Sequence, residues 1–455
     1  MSVNRRSFLK LTLASMASEG LFSVKRAMAA ASKTLTADVI VIGAGVAGLA
    51  AAAKVQSTGK TVIVLEAQSA IGGRILTDRS LSIPLDLGAS WIHGIKKNPI
   101  AALATSLKLN TVPTDYNSIQ RYDFDGRAIT DAEDRLVDSN YDALMSGVSR
   151  IQRTAKSDQV LGSSIARIIS AKQYPSFEQR AIQYSVSTEI EHDYAADVNG
   201  LSLKYWDQDS DFSGNDVLLP QGYDQIINYL SRNLDIRLST VVKQIDYRTS
   251  VVSIQTSSGS FSAPKVIVTI PLGVLKTNAV TFAPALPLTH NAAINRLGMG
   301  VLNKLYLLFP KAFWGSSEQL IGYVGQQKGY WAEWYNCQYS IGRPVLLGFN
   351  AASYARTLEA YTDAKTVDEA MSVLKTIYGN SIPNPLGYKL TRWGKNPWSL
   401  GSYSYMATGA SGADCDALTL PVNGRLFFAG EHTNRKYVGT VHGAYLSGIS
   451  ASAKV

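Results

Sequence analysis

A glycine-rich turn followed by an acidic residue is the first group in this sequence that could bind a ligand. Gly43-Ala44-Gly45-Val46-Ala47-Gly48 separates the apolar, β-branched run 38–42 from the alanine-rich stretch 49–56. The three glycines would permit a tight turn, backbone approach to a pyrophosphate and close helix packing, and the helix N-terminus would attract the phosphates. Glu66, which closes the apolar run 61–65, would accept a hydrogen bond from a ribose hydroxyl. These features predict a dinucleotide site; a glycine-rich turn without a ligand is the alternative.

Two further side chains could do chemistry because of their surroundings. Lys304 interrupts the otherwise apolar run 301–309, and a buried ammonium is costly unless it is paired. A lysine at a strand end that reaches solvent is the other interpretation. His93, in Trp91-Ile92-His93-Gly94, belongs to the side-chain type that gains and loses a proton near neutral pH. A lone histidine with a structural role is the other interpretation.

The elements that must position these residues alternate between strands and helices without an internal repeat. The run 37–66 is predicted to form one β-α-β unit with a buried parallel strand at each end. No low-complexity linker divides the chain, which favours interleaved domains. The remaining predictions are a polar helical region at 115–214, a hairpin of strands 251–255 and 265–270 around Ser257-Ser258-Gly259, aromatic strands with one helix near 367–378 within 285–389, and an apolar strand at 425–431.

The first 29 residues are typical of an export signal. Arg5-Arg6 with the following Phe8-Leu9-Lys10 resembles a twin-arginine address, and Ala27-Met28-Ala29 offers a cleavage site for the intervening apolar stretch. An amphipathic helix that begins with two arginines by chance is the alternative. The segment predicts a periplasmic or otherwise exported protein, carried by the twin-arginine translocation machinery after folding.

Composition narrows the function classes further. Residues 1–29 carry five basic side chains and one acidic one, so their removal lowers the formal net charge from +9 to +5. That balance, without a basic stripe, argues against nucleic acid as a partner. The sequence has no run of 18 or more apolar residues, so no membrane-spanning helix is predicted. The two cysteines, Cys337 and Cys415, could form at most one disulfide and predict no metal site.

Several later segments carry a resemblance to a known family. Ile71-Gly72-Gly73-Arg74 follows Glu66 directly, and the chain resembles the flavin-containing amine oxidases from this point across nearly all of its remaining length. The other segments that match in order are Leu87–Trp91, Thr240–Val242, Thr269–Leu275, Trp393–Tyr405, Phe428–Thr433 and Gly439–Ala444.

The resemblance implies an α/β fold with two domains and FAD as the cofactor. A discontinuous FAD-binding, Rossmann-like domain would comprise 37–115, 215–282 and 390–455. A substrate domain of mixed sheet and helices would comprise 116–214 and 283–389. The residues expected to contact FAD are Gly43, Gly45, Val46, Ala47, Gly48, Glu66, Ala67, Gly73, Arg74, Gly88, Ala89, Ser90, Trp91, Val242, Trp393, Tyr403, Gly430, Glu431, Thr440 and Val441.

Two positions refine the prediction within the family. Ser402 stands where monoamine oxidases have the cysteine that links to FAD, and serine cannot form that thioether, so non-covalent FAD is expected. Tyr403 and Thr440 stand where monoamine oxidases have two tyrosines. This pairing resembles polyamine oxidases and histone lysine demethylases. Export, and the lack of room for the demethylases' long helical insertion, favour a polyamine oxidase.

The resemblance also implies an oxidation of a polyamine C–N bond in spermidine or spermine, with O₂ reduced to H₂O₂. Lys304 would hold a water beside flavin N5, Tyr403 and Thr440 would orient the amine, and His93 would act in the channel. The expected substrate contacts are Glu191, Glu189, Trp91 and Tyr403, with Asp197 and Asp115 as weaker candidates. The alternatives are a monoamine, alkaloid or amino acid substrate, an electron acceptor other than oxygen, and a non-catalytic flavin protein.

Overall fold

A parallel sheet places the glycine-rich turn at the end of its central strand. The computed structural model describes residues 34–315 and 317–455, and the predicted export signal lies outside this range. All five strands of this sheet are parallel, as expected for fully apolar runs buried on both faces. In spatial order they are Asp235–Arg237, Val62–Leu65, Val39–Ile42, Lys265–Val268 and Leu426–Phe428.

Two helices pack against each other beside this sheet. Val46–Gln56 begins directly after the glycine turn, and Val441–Ser452 lies across it. Glycines allow the contact, because a Cβ on Gly448 would lie 2.1 Å from the Ala47 carbonyl oxygen. A Cβ on Gly48 would lie 1.9 Å from the Gly43 oxygen, so Gly48 has the packing role that the motif predicts.

A second five-stranded sheet corrects one sequence prediction. The strand Val252–Thr256 forms its hairpin with Gly259–Ala263, and the predicted partner, 265–270, is wrong. The strand Lys265–Val268 belongs to the parallel sheet instead, since its apolar residues need cover on both faces. In spatial order the second sheet contains Leu35–Thr36, Gly259–Ala263, Val252–Thr256, Val242–Asp246 and Thr281–Ala283.

A six-stranded mixed sheet carries Lys304 and several other cavity residues. Its strands in spatial order are Gly387–Leu390, Leu302–Leu308, Val345–Ala351, Glu333–Asn336, Leu320–Val324 and Ile119–Asp123. Three smaller sheets pair Thr77–Asp78 with Leu85–Asp86, Gly298–Met299 with Ser404–Tyr405, and Val217–Leu218 with both Trp91–Ile92 and Val112–Pro113.

Helices cover the sheets, and one helical segment passes from α-helix into π-helix. The polar region 115–214 contains the α-helices Asp131–Thr154, Leu161–Ser170, Ser176–Ser185 and His192–Tyr194. The segment Val186–Glu191, between the last two, is a π-helix. The predicted helix near 367–378 is Asp363–Tyr378. The other helices are Pro99–Ser106, Asp224–Leu230, Leu272–Lys276, Leu288–Arg296, Gln338–Ile341, Ala352–Glu359, Gly412–Leu418 and the 3₁₀ turn Glu431–Thr433.

The mixed α/β fold class is therefore confirmed, and the proposed domain boundaries stay a prediction. The first two sheets draw their strands from 35–65, 235–283 and 426–428, whereas the six-stranded sheet draws on 119–123 and 302–390. Cys337 and Cys415 are both buried free thiols, so they form no disulfide. No helix in the described ranges has the length and apolar character needed to cross a membrane.

Candidate active site

One cavity of about 790 Å³ joins the end of the parallel sheet to the six-stranded sheet. It brings together most of the predicted site residues, and leaves out Gly48 and Glu191. The predicted residues that line it are Gly43, Gly45, Val46, Ala47, Glu66, Ala67, Gly73, Arg74, Gly88, Ala89, Ser90, Trp91, His93, Glu189, Val242, Lys304, Trp393, Tyr403, Gly430, Glu431, Thr440 and Val441.

The glycine turn and Glu66 form the first end of the cavity. Gly43 has a φ of +105°, a conformation that a side chain would strain, and it lets the chain turn directly into the helix. No side chain caps the N-terminus of helix Val46–Gln56, so its first N–H groups stay available to a ligand. The Glu66 carboxylate accepts from the backbone N–H groups of Ala44 at 2.7 Å and Gln68 at 2.8 Å. Burial raises the pKa of Glu66, and these bonds oppose the rise.

A buried ion pair lies further along the cavity. Arg74 Nη1 is 2.6 Å from Glu431 Oε1 and donates to the Ser402 carbonyl at 3.0 Å. The other Glu431 oxygen accepts from the Ser404 hydroxyl and from the Gly439 N–H. Burial alone would raise the pKa of Glu431, but the charges of Arg74 and His432 and the hydrogen bonds from Ser404 and Arg74 together outweigh it, and the net pKa is lowered. Glu431 is therefore an anion that ties three separate segments together at the cavity wall.

Lys304 is buried and fully hydrogen-bonded. Its Nζ donates to the Asp86 carbonyl at 3.0 Å, the Gly88 carbonyl at 2.5 Å and Ser90 Oγ at 2.5 Å. It also lies 5.6 Å from the centre of the Trp91 ring. Burial lowers the pKa of Lys304 to about 8, partly offset by the Asp86 charge. The ammonium in this strand is therefore neither exposed nor unsatisfied, which excludes the solvent-reaching interpretation.

Ser402, Tyr403 and Thr440 all line the cavity, and each is held by hydrogen bonds to the backbone. Ser402 Oγ both donates to the Leu302 carbonyl and accepts from its N–H, at 2.8 Å each. The Tyr403 hydroxyl donates to the His192 carbonyl. Thr440 caps helix Val441–Ser452, accepting from Gly443 N–H and donating to the Tyr437 carbonyl, at 2.9 Å each. These side chains are fixed in place before any ligand arrives.

His93 opens onto the cavity and forms a pair with Asp216. Its Nδ1 is 2.7 Å from Asp216 Oδ2, which also accepts from the Tyr116 hydroxyl at 3.0 Å. The imidazole is about half exposed, at 51%. Partial desolvation in the cavity lowers the pKa of His93, but the hydrogen bond and charge of Asp216, together with the charges of Asp193 and Asp211, outweigh it, and the net pKa is raised. Sequence reasoning missed Asp216 and Tyr116, because only the fold brings them to this histidine.

The structure places Glu191, a predicted substrate contact, outside the cavity. Glu191 is 3% exposed, forms a 2.7 Å ion pair with Lys328 and accepts from the Val198 N–H at 3.1 Å. Glu189 lines the cavity instead. The two glutamates lie two residues apart on helical turns, and such residues face different directions. Of the weaker candidates, Asp197 lines a separate surface pocket and Asp115 lies outside the main cavity.

Comparison with known proteins decides the family. The sequence model described as "Flavin containing amine oxidoreductase" matches residues 46–455. The chain belongs to the flavin-containing amine oxidase family. Polyamine oxidase 2 of Arabidopsis thaliana is 34% identical over 436 residues, covering 92% of this chain and 88% of that protein. Polyamine oxidase 4 of Oryza sativa subsp. japonica is also 34% identical, with 91% and 87% covered.

Two further comparisons match proteins with other names. Lysine-specific histone demethylase 2 of Homo sapiens is 34% identical over 92% of this chain, but the match covers only 53% of that protein. A solved double mutant of putrescine oxidase, redesigned in its cofactor binding, superposes with a TM-score of 0.74 and 18% identity. It covers 92% of this chain and 99% of its own length, which confirms the amine-oxidase fold.

The cavity fits the flavin cofactor that the family implies. Two helix N-termini, at Val46 and Val441, open on it and would favour the pyrophosphate and the electron-rich edge of the ring. A Cβ on Gly45 would have no neighbour closer than 3.9 Å, so the backbone there is open to a close-approaching ligand. Glu66 supplies an anion that could accept from a ribose hydroxyl, and Arg74 supplies a cation at the cavity wall.

Sequence reasoning missed several polar and aromatic residues at the other end of the cavity. The missed residues that line it are Tyr116, His192, Asp193, Tyr194, Asp207, Asp209, Asp211, Glu333 and Phe349. Glu333 carried a usable signal, because it is an acid inside the aromatic stretch 330–335, as Lys304 is a base inside an apolar strand. Asp193 carried none, since only the helical register directs it toward the cavity.

Proposed function

We propose that this flavin amine oxidase binds FAD non-covalently and oxidises a polyamine, spermidine or spermine, at a C–N bond. The observation that carries the proposal is a single cavity whose first end fits the dinucleotide and whose second end is walled by carboxylates. A substrate with several ammonium groups matches such a wall, whereas a neutral or singly charged substrate leaves most of it without a partner. The polyamine oxidases among its relatives support the same substrate class.

The protein's part of the reaction is to position a neutral amine in a partly apolar cavity. FAD bound here would accept a hydride from the carbon beside the amine nitrogen and pass two electrons to O₂, giving H₂O₂. Loss of that hydride and of the nitrogen's proton leaves an imine, and water splits it into an aldehyde and a shorter amine. Tyr403 and Thr440 border the place where this amine would lie. His93, held by Asp216, is within the same cavity to take up the proton.

Non-covalent binding is supported by the surroundings of Ser402. Its hydroxyl is committed to the Leu302 backbone. No cysteine lines the cavity within the described part of the chain. Denaturing the purified protein and passing it through a membrane filter tests this point. We expect all of the yellow flavin in the filtrate, and flavin retained with the protein would contradict non-covalent binding.

Export to the periplasm is a separate part of the proposal, supported by the Arg5-Arg6 segment and the Ala27-Met28-Ala29 site. Replacing both arginines by lysine in the full chain should leave the protein and its activity in the cytoplasmic fraction. Cell fractionation with immunoblotting measures the outcome. Unchanged distribution between the fractions would rule out the twin-arginine route.

The decisive experiment is an anaerobic titration followed by flavin absorbance. Spermidine and spermine should bleach the flavin, while tyramine and an L-amino acid should not; putrescine tests whether two ammonium groups suffice. Readmitted oxygen should restore the spectrum and yield one H₂O₂ per flavin. Bleaching by tyramine and not by the polyamines would overturn the substrate, and slow reoxidation would point to another electron acceptor. An unchanged spectrum with all five amines would indicate a non-catalytic flavin protein.

A further inference from the structure

We propose that a second pocket, beside the main cavity, binds a short ω-amino acid, a zwitterion whose ammonium and carboxylate groups lie at opposite ends of the molecule. This pocket, which we call the Arg356 pocket, has a volume of about 300 Å³, at the lower end of the range for small-molecule sites. Its lining includes a cation, Arg356, an anion, Asp197, and the polar side chains of Ser353 and Tyr405. Among the described residues, none lines both this pocket and the main cavity.

The protein leaves the two charged side chains of the Arg356 pocket without an ionic partner. In the described ranges, no carboxylate oxygen lies within 4 Å of an Arg356 nitrogen, and no basic nitrogen lies within 4 Å of the Asp197 carboxylate. The two residues therefore do not pair with each other across the pocket. Arg356 Nη2 donates to the Met299 carbonyl at 3.2 Å, and Asp197 Oδ2 accepts from the Ser353 hydroxyl at 2.8 Å. The other guanidinium donors and the other carboxylate oxygen stay available to a ligand.

Tyr405 is near enough to both charges for each to act on its hydroxyl. Burial raises the pKa of Tyr405, the charge of Arg356 opposes the rise, and the charge of Asp197 adds to it. Two glycines let the side chain lie where it does. A Cβ on Gly298 would be 2.2 Å from the ring Cζ, and a Cβ on Gly200 would be 3.2 Å from the hydroxyl oxygen. A neutral hydroxyl beside both charges can donate to a carboxylate or accept from an ammonium.

Two alanines with a left-handed backbone shape the Arg356 pocket. Ala195 has a φ of +52° and Ala352 a φ of +56°, a conformation that residues with a side chain seldom adopt. One residue holds both of them, because the Val301 N–H donates to the Ala195 carbonyl at 2.8 Å and the Val301 carbonyl accepts from the Ala352 N–H at 2.9 Å. The turns that carry Asp197 and Ser353 are thus fixed side by side. Strain of this kind is concentrated at sites where a ligand needs the geometry.

A ligand with two opposite charges suits this lining better than a ligand with one. An anion bound by Arg356 alone would be repelled by Asp197, and a cation bound by Asp197 alone would be repelled by Arg356. A guanidinium forms paired hydrogen bonds with a carboxylate, and a carboxylate accepts from an ammonium. Because the two side chains do not touch, the charges of the ligand must be separated by several carbon atoms. An ω-amino acid has this form, and an α-amino acid does not.

The Arg356 pocket and the main cavity share part of their walls. Tyr405 lines the pocket, and Tyr403, two residues earlier, lines the main cavity. The Gly300 N–H donates to the Tyr403 carbonyl at 2.8 Å, and the next residue, Val301, holds both strained alanines. A ligand in the pocket therefore contacts backbone that also positions Tyr403.

Three compounds with the same carbon chain length isolate the two charges. 4-Aminobutanoate carries both, butyrate carries only the carboxylate, and butylamine carries only the ammonium. The pocket variants are Arg356→Gln and Asp197→Asn, and their matched controls are Arg167→Gln and Asp142→Asn, at exposed residues that line neither cavity. Saturation-transfer NMR titration of each holoenzyme gives the Kd, and flavin absorbance reports ligand in the main cavity. Melting temperatures verify that each variant is folded.

We expect 4-aminobutanoate to bind the wild-type protein with a Kd of about 1 mM, as is common for so small a ligand. Butyrate and butylamine each meet one favourable and one repelling charge, so they should bind at least about fivefold more weakly. Each pocket variant should raise the Kd for 4-aminobutanoate by about fivefold, because the lost interaction is partly exposed to solvent. The control variants should stay within about twofold of the wild type.

Three results would overturn the site. One is the absence of binding by 4-aminobutanoate up to about 50 mM. Another is an equal affinity for butyrate or for butylamine. The third is a Kd that neither pocket variant changes, which would place the ligand elsewhere, and in the main cavity if the flavin absorbance shifts with it. If one pocket variant does not fold, the other still separates these outcomes.

Discussion

The two ends of the cavity treat their charged groups in opposite ways. At the end that fits the dinucleotide, Glu66 accepts from two backbone N–H groups, Arg74 is paired with Glu431, and Lys304 has three acceptors. At the other end, Glu189 and Asp193 have no basic partner within ion-pair distance among the described residues. A resident cofactor needs a site that is formed and stable before loading. A passing substrate can instead be recognised by the charges that the protein leaves unpaired.

The largest effect is expected from removing a paired charge at the cofactor end. Arg74→Ala leaves Glu431 buried without its cation, so the free energy of unfolding should fall by about 3 kcal/mol and flavin retention should be mostly lost. Melting curves and the flavin-to-protein absorbance ratio measure both. The matched control is Arg79→Ala, which breaks an exposed pair with Asp224 and should cost under about 1 kcal/mol. Equal losses of unfolding free energy in the two variants would contradict the expected difference between the Glu431 pair and the exposed Asp224 pair.

Lys304→Met tests the other cation of that end. The resemblance assigns Lys304 to flavin reoxidation, so the rate of reaction with O₂ should fall by about 100-fold while anaerobic flavin reduction is little changed. Stopped-flow mixing of the reduced enzyme with oxygen measures this rate. Lys389→Met, at an ion pair with Asp78 outside the cavity, serves as the control. A loss confined to flavin reduction would assign Lys304 to substrate binding instead.

The unpaired end should depend on pH through Asp193. Its pKa is raised to about 7, so the carboxyl is charged above that pH and neutral below it. Replacing it by asparagine should therefore weaken spermidine binding by about 10-fold at pH 8 and have little effect at pH 6. The ratio of KM values, variant over wild type, removes the titration of spermidine itself. A ratio that stays constant between pH 6 and 8 would exclude Asp193 as the titrating group.

The smallest effect on activity is expected at Glu191. Glu191→Gln breaks a pair with Lys328, which is about one-third exposed, so we expect a loss of about 1–2 kcal/mol in the free energy of unfolding. The kinetic constants for spermidine should stay within about twofold. Denaturant unfolding and steady-state kinetics measure the two quantities. A KM raised as far as by Asp193→Asn would return Glu191 to the substrate site.

The cofactor end could be predicted well from the sequence because its signals are local. The glycine turn, Glu66 and the Gly-Gly-Arg at 72–74 each show their role within a few residues, and the chemistry of a turn follows from its own backbone. The sequence does not predict the pairing of strand 265–268, because an apolar run does not reveal which sheet will bury it. The segment Gly259–Ala263, which is the true hairpin partner of Val252–Thr256, consists mostly of small residues and shows a weaker strand pattern than 265–268 does.

The substrate end was harder because it depends on contacts across the fold. Choosing between Glu189 and Glu191 requires the register of the helical turns at 186–194, where a π-helical segment changes the direction of each side chain. The approach of Glu333 depends on sheet pairing, and that of Asp216 to His93 on a small sheet formed by distant strands. Composition and spacing do not reveal these contacts.

The contact between helices Val46–Gln56 and Val441–Ser452 bears on how the enzyme is made. The first helix leaves the ribosome early, but its partner and the strand Leu426–Phe428 follow only after most of the chain has been synthesised. Glu431 and the second helix N-terminus are part of the same cofactor wall. A nascent chain therefore has no complete place for the dinucleotide until synthesis has passed this segment. A complete site for the flavin therefore requires that the early and late segments of the chain have met.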